Sequence, residues 1–116
     1  MNAADLHRAV EAGLNNGDVD ALVALYEPEA HFLGEDGATA VGLDAIRDVY
    51  TTLVAFGGRI SVTTRYAEEQ GDLALLSNSW SFEIDGSEVA SAITSELARR
   101  QSDGTWRYVI DNPYAA

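Results

Sequence analysis

Hydrophobic positions follow two rhythms along this chain, a helical period in the first half and strict alternation in the second. From Ala3 to Asn15, Leu6, Val10, Gly13 and Leu14 form one stripe, with Asp5, Arg8 and Glu11 mostly off it. That spacing predicts an amphipathic helix. Asn15-Asn16-Gly17 stops it, because Asn and Gly tolerate the left-handed backbone that ends helices. Asp18 is placed to cap a second, shorter helix carrying Val19, Leu22, Val23 and Tyr26, which Pro28 closes. Ala30 to Leu33 reads as a short strand, Gly34-Glu35-Asp36-Gly37 as a turn, and Ala38 to Val41 as the strand that pairs back. Gly42 precedes a third helix, Leu43 to Phe56, with Ile46, Val49, Tyr50 and Leu53 inward and Gly57-Gly58 at its end.

In the second half, Gln70-Gly71-Asp72, Asp85-Gly86-Ser87 and Ser102-Asp103-Gly104 separate four β-rich runs. These are Arg59 to Glu69, Leu73 to Ile84, Glu88 to Gln101 and Thr105 to Asn112. Long strands joined by tight turns form a meander, and long strands twist, so the sheet should curl. Helices followed by an antiparallel meander predict an α+β domain in which helices cover one face of a curved sheet and enclose a pocket. In the second run Ala74, Leu76, Asn78, Trp80, Phe82 and Ile84 share a face. The opposite face begins with Leu73 and Leu75 and then turns polar, which fits partial burial against another subunit. In the last run Trp106, Tyr108 and Ile110 share one face; Arg107, Val109 and Asp111 share the other. No repeat or linker interrupts the 116 residues, so residues 1–116 read as one domain.

Composition narrows the function classes. With 47% hydrophobic residues, a chain of this length can bury roughly two-thirds of its unfolded surface. Cysteine is absent, which removes disulfides, thiolate metal sites and cysteine nucleophiles. Two histidines, His7 and His31, leave little for a metal site, and neither metal nor cofactor is expected. A net charge of −12 argues against nucleic acid and anionic membranes, which need clustered basic residues. No apolar run approaches membrane-spanning length and the N-terminus lacks a signal pattern, so a cytoplasmic protein is expected. All basic residues are arginine, which, with the abundant alanine, reads as the mark of a GC-rich bacterial genome.

Several stretches, in this order, carry a family likeness. They are Leu25-Tyr26-Glu27-Pro28-Glu29-Ala30-His31-Phe32, Gly42-Leu43-Asp44-Ala45-Ile46-Arg47 and Gly71-Asp72-Leu73-Ala74-Leu75-Leu76. Gln101-Ser102-Asp103-Gly104-Thr105-Trp106-Arg107 and Asp111-Asn112-Pro113 follow. Over nearly its whole length the chain resembles the nuclear transport factor 2-like superfamily, which includes SnoaL-like cyclases, small SgcJ-type proteins and ketosteroid isomerases. The resemblance implies a cone-shaped α+β barrel, a pocket between helices and sheet, and a homodimer formed through sheet faces. It does not imply one activity, because this fold hosts isomerases, dehydratases, cyclases, epoxide hydrolases and non-catalytic proteins. The resembling steroid isomerases take a tyrosine from the first helix, where this chain has Leu6, Val10 and Leu14. The resembling epoxide hydrolases use an Asp–Arg–Asp arrangement, for which Arg65 and Asp111 are candidates without a second aspartate.

The remaining chemistry is acid–base. Asp111 and His31 are the candidate proton carriers: a histidine titrates near neutrality, and burial raises a carboxylate toward it. Each also has a plain structural reading, His31 as a surface or interface residue and Asp111 as a strand-end cap. Asp111 and Trp106 lie on opposite faces by alternation and can line one pocket only if a bulge intervenes. Tyr26, Tyr50, Tyr66, Trp80, Trp106 and Tyr108 are candidate lining residues, though inward aromatics often form plain core. Asn78 among large apolar neighbours is a sharper sign, because a buried amide needs partners. His7, near Asp5 and Glu11, reads as solvated, and Glu68, Glu69, Asp72, Arg99 and Arg100 as surface salt links. The expectation is a domain binding a small apolar molecule, with cofactor-independent acid–base catalysis as one use of it. The alternative is a non-catalytic dimerisation or assembly module.

Overall fold

The computed structural model describes residues 2–116 and has the element order α1 (Asp5–Asn15), α2 (Val19–Val23), β1 (Tyr26–Leu33), β2 (Thr39–Val41), α3 (Leu43–Ala55), β3 (Arg59–Gln70), β4 (Leu73–Ile84), β5 (Ser87–Ile93), β6 (Ser95–Arg100) and β7 (Trp106–Asn112). The strands form one curved, unclosed sheet in the order β2-β1-β7-β6-β4-β3, with β5 pairing the distal half of β4. All pairings are antiparallel except β1 with β7, which run parallel.

Local signals explain the helical half. Gly17, at φ 65°, ends α1, and the Asp18 carboxylate accepts the Ala21 N–H at 3.0 Å to start α2, a cap worth about 1 kcal/mol. Gly13 belongs to the buried stripe because α1 and α2 touch there: a Cβ would lie 2.8 Å from the Leu22 side chain. The helix α2 stops at Val23, however, and Tyr26 opens β1 rather than closing a helix. The Tyr108 N–H donates to the Leu25 carbonyl at 2.7 Å, drawing the chain into the sheet early. Pro28 is tolerated within β1 because the pairing with β7 shifts register between Tyr26 and His31, where a missing N–H costs no ladder bond.

The expected strand over Glu88–Gln101 is divided at Thr94. The Thr94 N–H still donates to the Asn78 carbonyl at 2.8 Å, but the return bonds pass to side chains: the Thr94 hydroxyl accepts the Asn78 N–H at 2.8 Å and the Thr94 carbonyl accepts the Ser77 hydroxyl at 2.6 Å.

Two irregularities decide which side chains face inward. In β3, Arg65 is the extra residue between Thr64, opposite Asn78, and Tyr66, opposite Ser77. In β7, Val109 is the extra residue between Tyr108, opposite Ala98, and Ile110, opposite Leu97. The second bulge brings Asp111 to the same face as Trp106 and Tyr108, all three buried, while Ile110 turns outward. Across the sheet this makes two parallel rows. The inner row runs Ala67, Leu76, Glu96, Asp111, Phe32 and Ala40; the outer row beside it runs Glu68, Leu75, Leu97, Ile110, His31 and Val41. Helices α1 and α3 pack on the inner face, where Leu6, Leu22, Tyr26, Ile46, Leu76 and Tyr108 form the core. Each such large apolar side chain contributes about 2 kcal/mol on burial. Among the described residues, no helix is long and apolar enough to cross a membrane.

Candidate functional site

Between α1, α3 and the inner face of β3–β5 lies a cavity of about 290 Å³. Its wall is apolar, with Leu14, Leu53, Ile60, Val62, Trp80 and Phe82 among the lining residues, and the exposed Phe56 and Val89 stand at its mouth. Its deep end is polar. There Asn78, Thr94, Glu96 and Asp111, each about 95% or more buried, meet Tyr50 from α3.

Glu96 and Asp111 are direct cross-strand partners on one face, so two carboxylates stand side by side in an otherwise apolar row. Each is held by its own set of donors. The Glu96 Oε1 accepts from His7 Nε2 at 2.8 Å and from the Thr94 hydroxyl at 3.0 Å, and Oε2 accepts from Asn78 Nδ2 at 3.3 Å. On its other side His7 Nδ1 is hydrogen-bonded to the Thr64 hydroxyl, 2.7 Å away. The Asp111 Oδ2 accepts from the Tyr26 hydroxyl at 2.6 Å; Tyr26 has one proton to give, so the Tyr50 hydroxyl, also 2.6 Å away, donates to Tyr26. Among the described residues nothing donates to Asp111 Oδ1, the oxygen left to meet a guest in the cavity. Asn78 Oδ1 is buried without a hydrogen-bond partner, as is the Tyr108 hydroxyl.

This environment displaces the titration of Asp111. Burial first, and the neighbouring Glu96 charge second, push its carboxyl up to about 8, against the smaller opposing pull of the Tyr26 hydrogen bond. Burial, reinforced by Asp111, also raises Tyr26 and Tyr50 far above the ordinary phenol range, so both remain hydrogen-bond donors at neutral pH. The deep end thus holds a carboxyl group able to carry or release a proton near neutrality, steadied from behind by two phenols.

Of the residues the sequence singles out, Tyr50, Asn78, Trp80 and Asp111 line this cavity, and Tyr26 stands one hydrogen bond behind it. The bulge at Val109 meets the condition under which Asp111 and Trp106 can share a side of the sheet. Even so, Trp106 lies at the other end of the inner face, against Leu6, Ala9 and Leu25, and Tyr108 is fully buried core. Tyr66 is 43% exposed, with the Arg65 guanidinium 5.9 Å from its ring centre, because the Arg65 bulge turns it outward. His31 also lies on the outer face, between Ile110 and Val41, since the buried neighbours Ala30 and Phe32 take the inward positions. Arg65 donates to Ser77 rather than entering the cavity, and among the described residues no arginine lines it, so the Asp–Arg–Asp arrangement is not assembled there.

Two functional residues escape the sequence reading. His7, expected to be solvated, is 2% exposed; its spacing of three and seven to Val10 and Leu14 puts it on the buried stripe. Glu96 is not among the residues the sequence singles out; its neighbour Leu97, the apolar residue of the pair, faces outward and the glutamate inward. Of the supposed surface charges, Arg99 pairs with Glu27 at 3.0 Å and Arg100 with Asp72 at 2.9 Å.

A curved sheet with helices on its inner face and a cavity between them defines the nuclear transport factor 2-like class of α+β fold. The sequence pattern of the SnoaL-like domain matches residues 6–112, and the chain belongs to that family. Solved structures agree on the fold. The chain is similar to a cystatin-like-fold domain of unknown function from Nostoc punctiforme (TM-score 0.84, 17% identity, covering 97% of this chain and 74% of that one). It is similar to a nuclear transport factor 2-like protein with a cystatin-like fold from Novosphingobium aromaticivorans (TM-score 0.76, 21% identity, 93% and 75%). It is also similar to a ketosteroid isomerase-like protein from Erwinia carotovora atroseptica (TM-score 0.70, 18% identity, 97% and 95%). At these identities the likeness concerns the fold alone. A comparison with curated protein sequences finds no match.

Proposed function

We propose that this domain binds a small, mostly apolar molecule in the cavity and moves a proton on it with its own side chains. Asp111 is the proton carrier. The observation that carries this reading is the pairing of a titration displaced toward neutrality with a carboxyl oxygen free of protein partners at the buried end of an apolar cavity. Glu96 keeps the proton on Asp111 by like-charge repulsion, and Tyr26, locked between Tyr50 and Asp111, fixes the carboxyl orientation. Such a group serves isomerisation, cyclisation or dehydration, each of which needs a proton taken up or given near neutral pH.

The test is a thermal-shift panel of apolar ketones, aromatic polyketide-like compounds and hydroxy compounds, followed by deuterium wash-in on every binder. Binding to the folded state alone raises the melting temperature with occupancy. Deuterium entering a carbon position with wild-type protein but not with Asp111→Asn supports proton transfer. If binders exist but none exchanges, Asp111 is not a proton carrier; if nothing in the panel binds, the ligand reading is lost.

A second reading rests on the outer row. Leu75, Ile110 and Val41 are 48%, 42% and 54% exposed, and with Leu97 they form an apolar strip around His31 on the sheet face away from the helices. We propose that this strip pairs two copies of the chain. An exposed apolar face of this kind marks an interaction surface, and the homodimer is compatible with a working cavity on the other side.

A further inference from the structure

The cavity's chemistry extends this reading to the class of its ligand. The hydrogen-bonding groups around the cavity are unbalanced. The Trp80 Nε1 donates to the Pro113 carbonyl at 2.8 Å, and the Thr94 hydroxyl and Asn78 Nδ2 donate to Glu96. The Tyr50 hydroxyl donates to Tyr26. These donors of the wall are engaged, which leaves the Tyr114 hydroxyl as the lining donor without a bond among the described residues, whereas Asp111 Oδ1 and Asn78 Oδ1 stand as oxygens without partners. No arginine, lysine or histidine lines the cavity, while Glu35 stands at its rim and Glu96 and Asp111 at its depth.

Glu96 and Asp111 face each other across β6 and β7, an arrangement that destabilises a sheet when both partners are charged. Asp111 avoids that repulsion by keeping its proton; a cation between the two would let it ionise beside Glu96. The rest of the wall suits a cation as well: Phe32, Tyr50, Trp80, Phe82 and Phe56 present aromatic rings, which attract positive charge over their faces. The net charge of −12 adds a long-range attraction of the same sign. An anionic ligand would meet carboxylates with no counter-charge in the cavity wall.

We infer that the cavity selects an apolar amine, its ammonium group placed between Glu96 and Asp111 and its hydrocarbon part against the aromatic wall. This inference rests on the cavity being a ligand site, as proposed above, and adds which ligands it accepts. The raised titration of Asp111 agrees with it, since the binding of a cation would favour the charged carboxylate.

The experiment uses three probes of one shape: 1-naphthylmethylamine, 1-naphthylmethanol and 1-naphthoate. Each is titrated into the intact protein by calorimetry, with the two indole N–H resonances followed by NMR. Trp80 lines the cavity and Trp106 does not, so the expected signature is a shift at Trp80 alone. The amine should bind about tenfold more tightly than the alcohol, the return on one charge-assisted contact, and the naphthoate should not bind. The double variant Glu96→Gln/Asp111→Asn, which keeps both shapes and removes both charges, should lower the amine affinity about tenfold and abolish its advantage over the alcohol. Naphthoate or alcohol binding as tightly as the amine would overturn the selectivity while leaving the ligand site standing. An amine that keeps its advantage over the alcohol in the double variant would overturn it equally. Failure of all three probes to move Trp80 would remove both the inference and the ligand site beneath it.

Discussion

Replacing Asp111 by asparagine should change how the stability of this protein depends on pH more than it changes the stability at any one pH. In the folded chain the carboxyl titrates at about 8, whereas its ordinary value is 3.8. Between these values the native state keeps a proton that the unfolded chain has released. Native stability from this group is therefore fully present below the unfolded value and is lost as pH rises through the folded one. Each unit of pH in that interval costs about 1.4 kcal/mol, so from about pH 5 to about pH 7 the wild type should lose about 3 kcal/mol relative to the variant. Asparagine keeps an oxygen to accept the Tyr26 hydroxyl and does not titrate, while Glu96 and His7 stay in place in both proteins. Urea unfolding at a series of pH values, followed by tryptophan fluorescence, gives the two stability curves, and their difference isolates Asp111. The wild-type curve should fall away from the variant's as pH rises. Parallel curves would mean that Asp111 ionises normally in the fold, and the assignment of the proton carrier would go with them.

The other expectations concern the supports of the site and the outer face. Tyr26→Phe removes the hydroxyl that links Tyr50 to Asp111, so thermal or urea unfolding should report a loss of about 1–3 kcal/mol. It should also move upward the pH at which the growing difference between chains with and without Asp111→Asn levels off, since that hydrogen bond favours the charged carboxylate; the onset of the difference, set by the unfolded chain, should stay put. His7→Leu strands the Glu96 carboxylate in the core and should cost about 3 kcal/mol; most of that should be recovered in the double variant with Glu96→Gln, as a double-mutant cycle would read. Leu75→Asp on the outer row should turn a dimer into a species of the 12.4 kDa chain mass in sedimentation, with folding retained. A wild type that already sediments at that mass would refute the pairing of copies through this face.

The architecture was legible because it depends on features that are local in the chain. The stripe of α1, the Asp18 cap and the glycine turns of the meander each fix an element without reference to distant residues. Tyr26 was misplaced because its strand is held by a parallel partner more than eighty residues away, which no local period encodes. The candidate site was legible at Asn78, Trp80 and Tyr50 for a simpler reason: each lies where an inward position carries a polar or aromatic group, whereas Asp111 comes inward only through the bulge at Val109, which alternation does not show. Glu96 was hidden by inverted polarity, since on β6 the glutamate is inside and Leu97 faces out. Alternation reports which residues share a face; it identifies the inner face only when the outer one is polar, and here the outer one carries its own apolar strip.

The single extra residue at Val109 ties the two faces of the molecule together. Without it, β7 would continue in simple alternation: Val109 would stand between Leu97 and His31 on the outer strip, Ile110 would fill the place of Asp111 beside Glu96, and Asp111 would turn outward opposite Ser95. One shift in phase would thus take the second carboxyl out of the cavity and place it on the outer surface. The inner carboxyl pair and the outer apolar strip are not independent features that can drift separately; both are readings of one strand, set by where its count is broken.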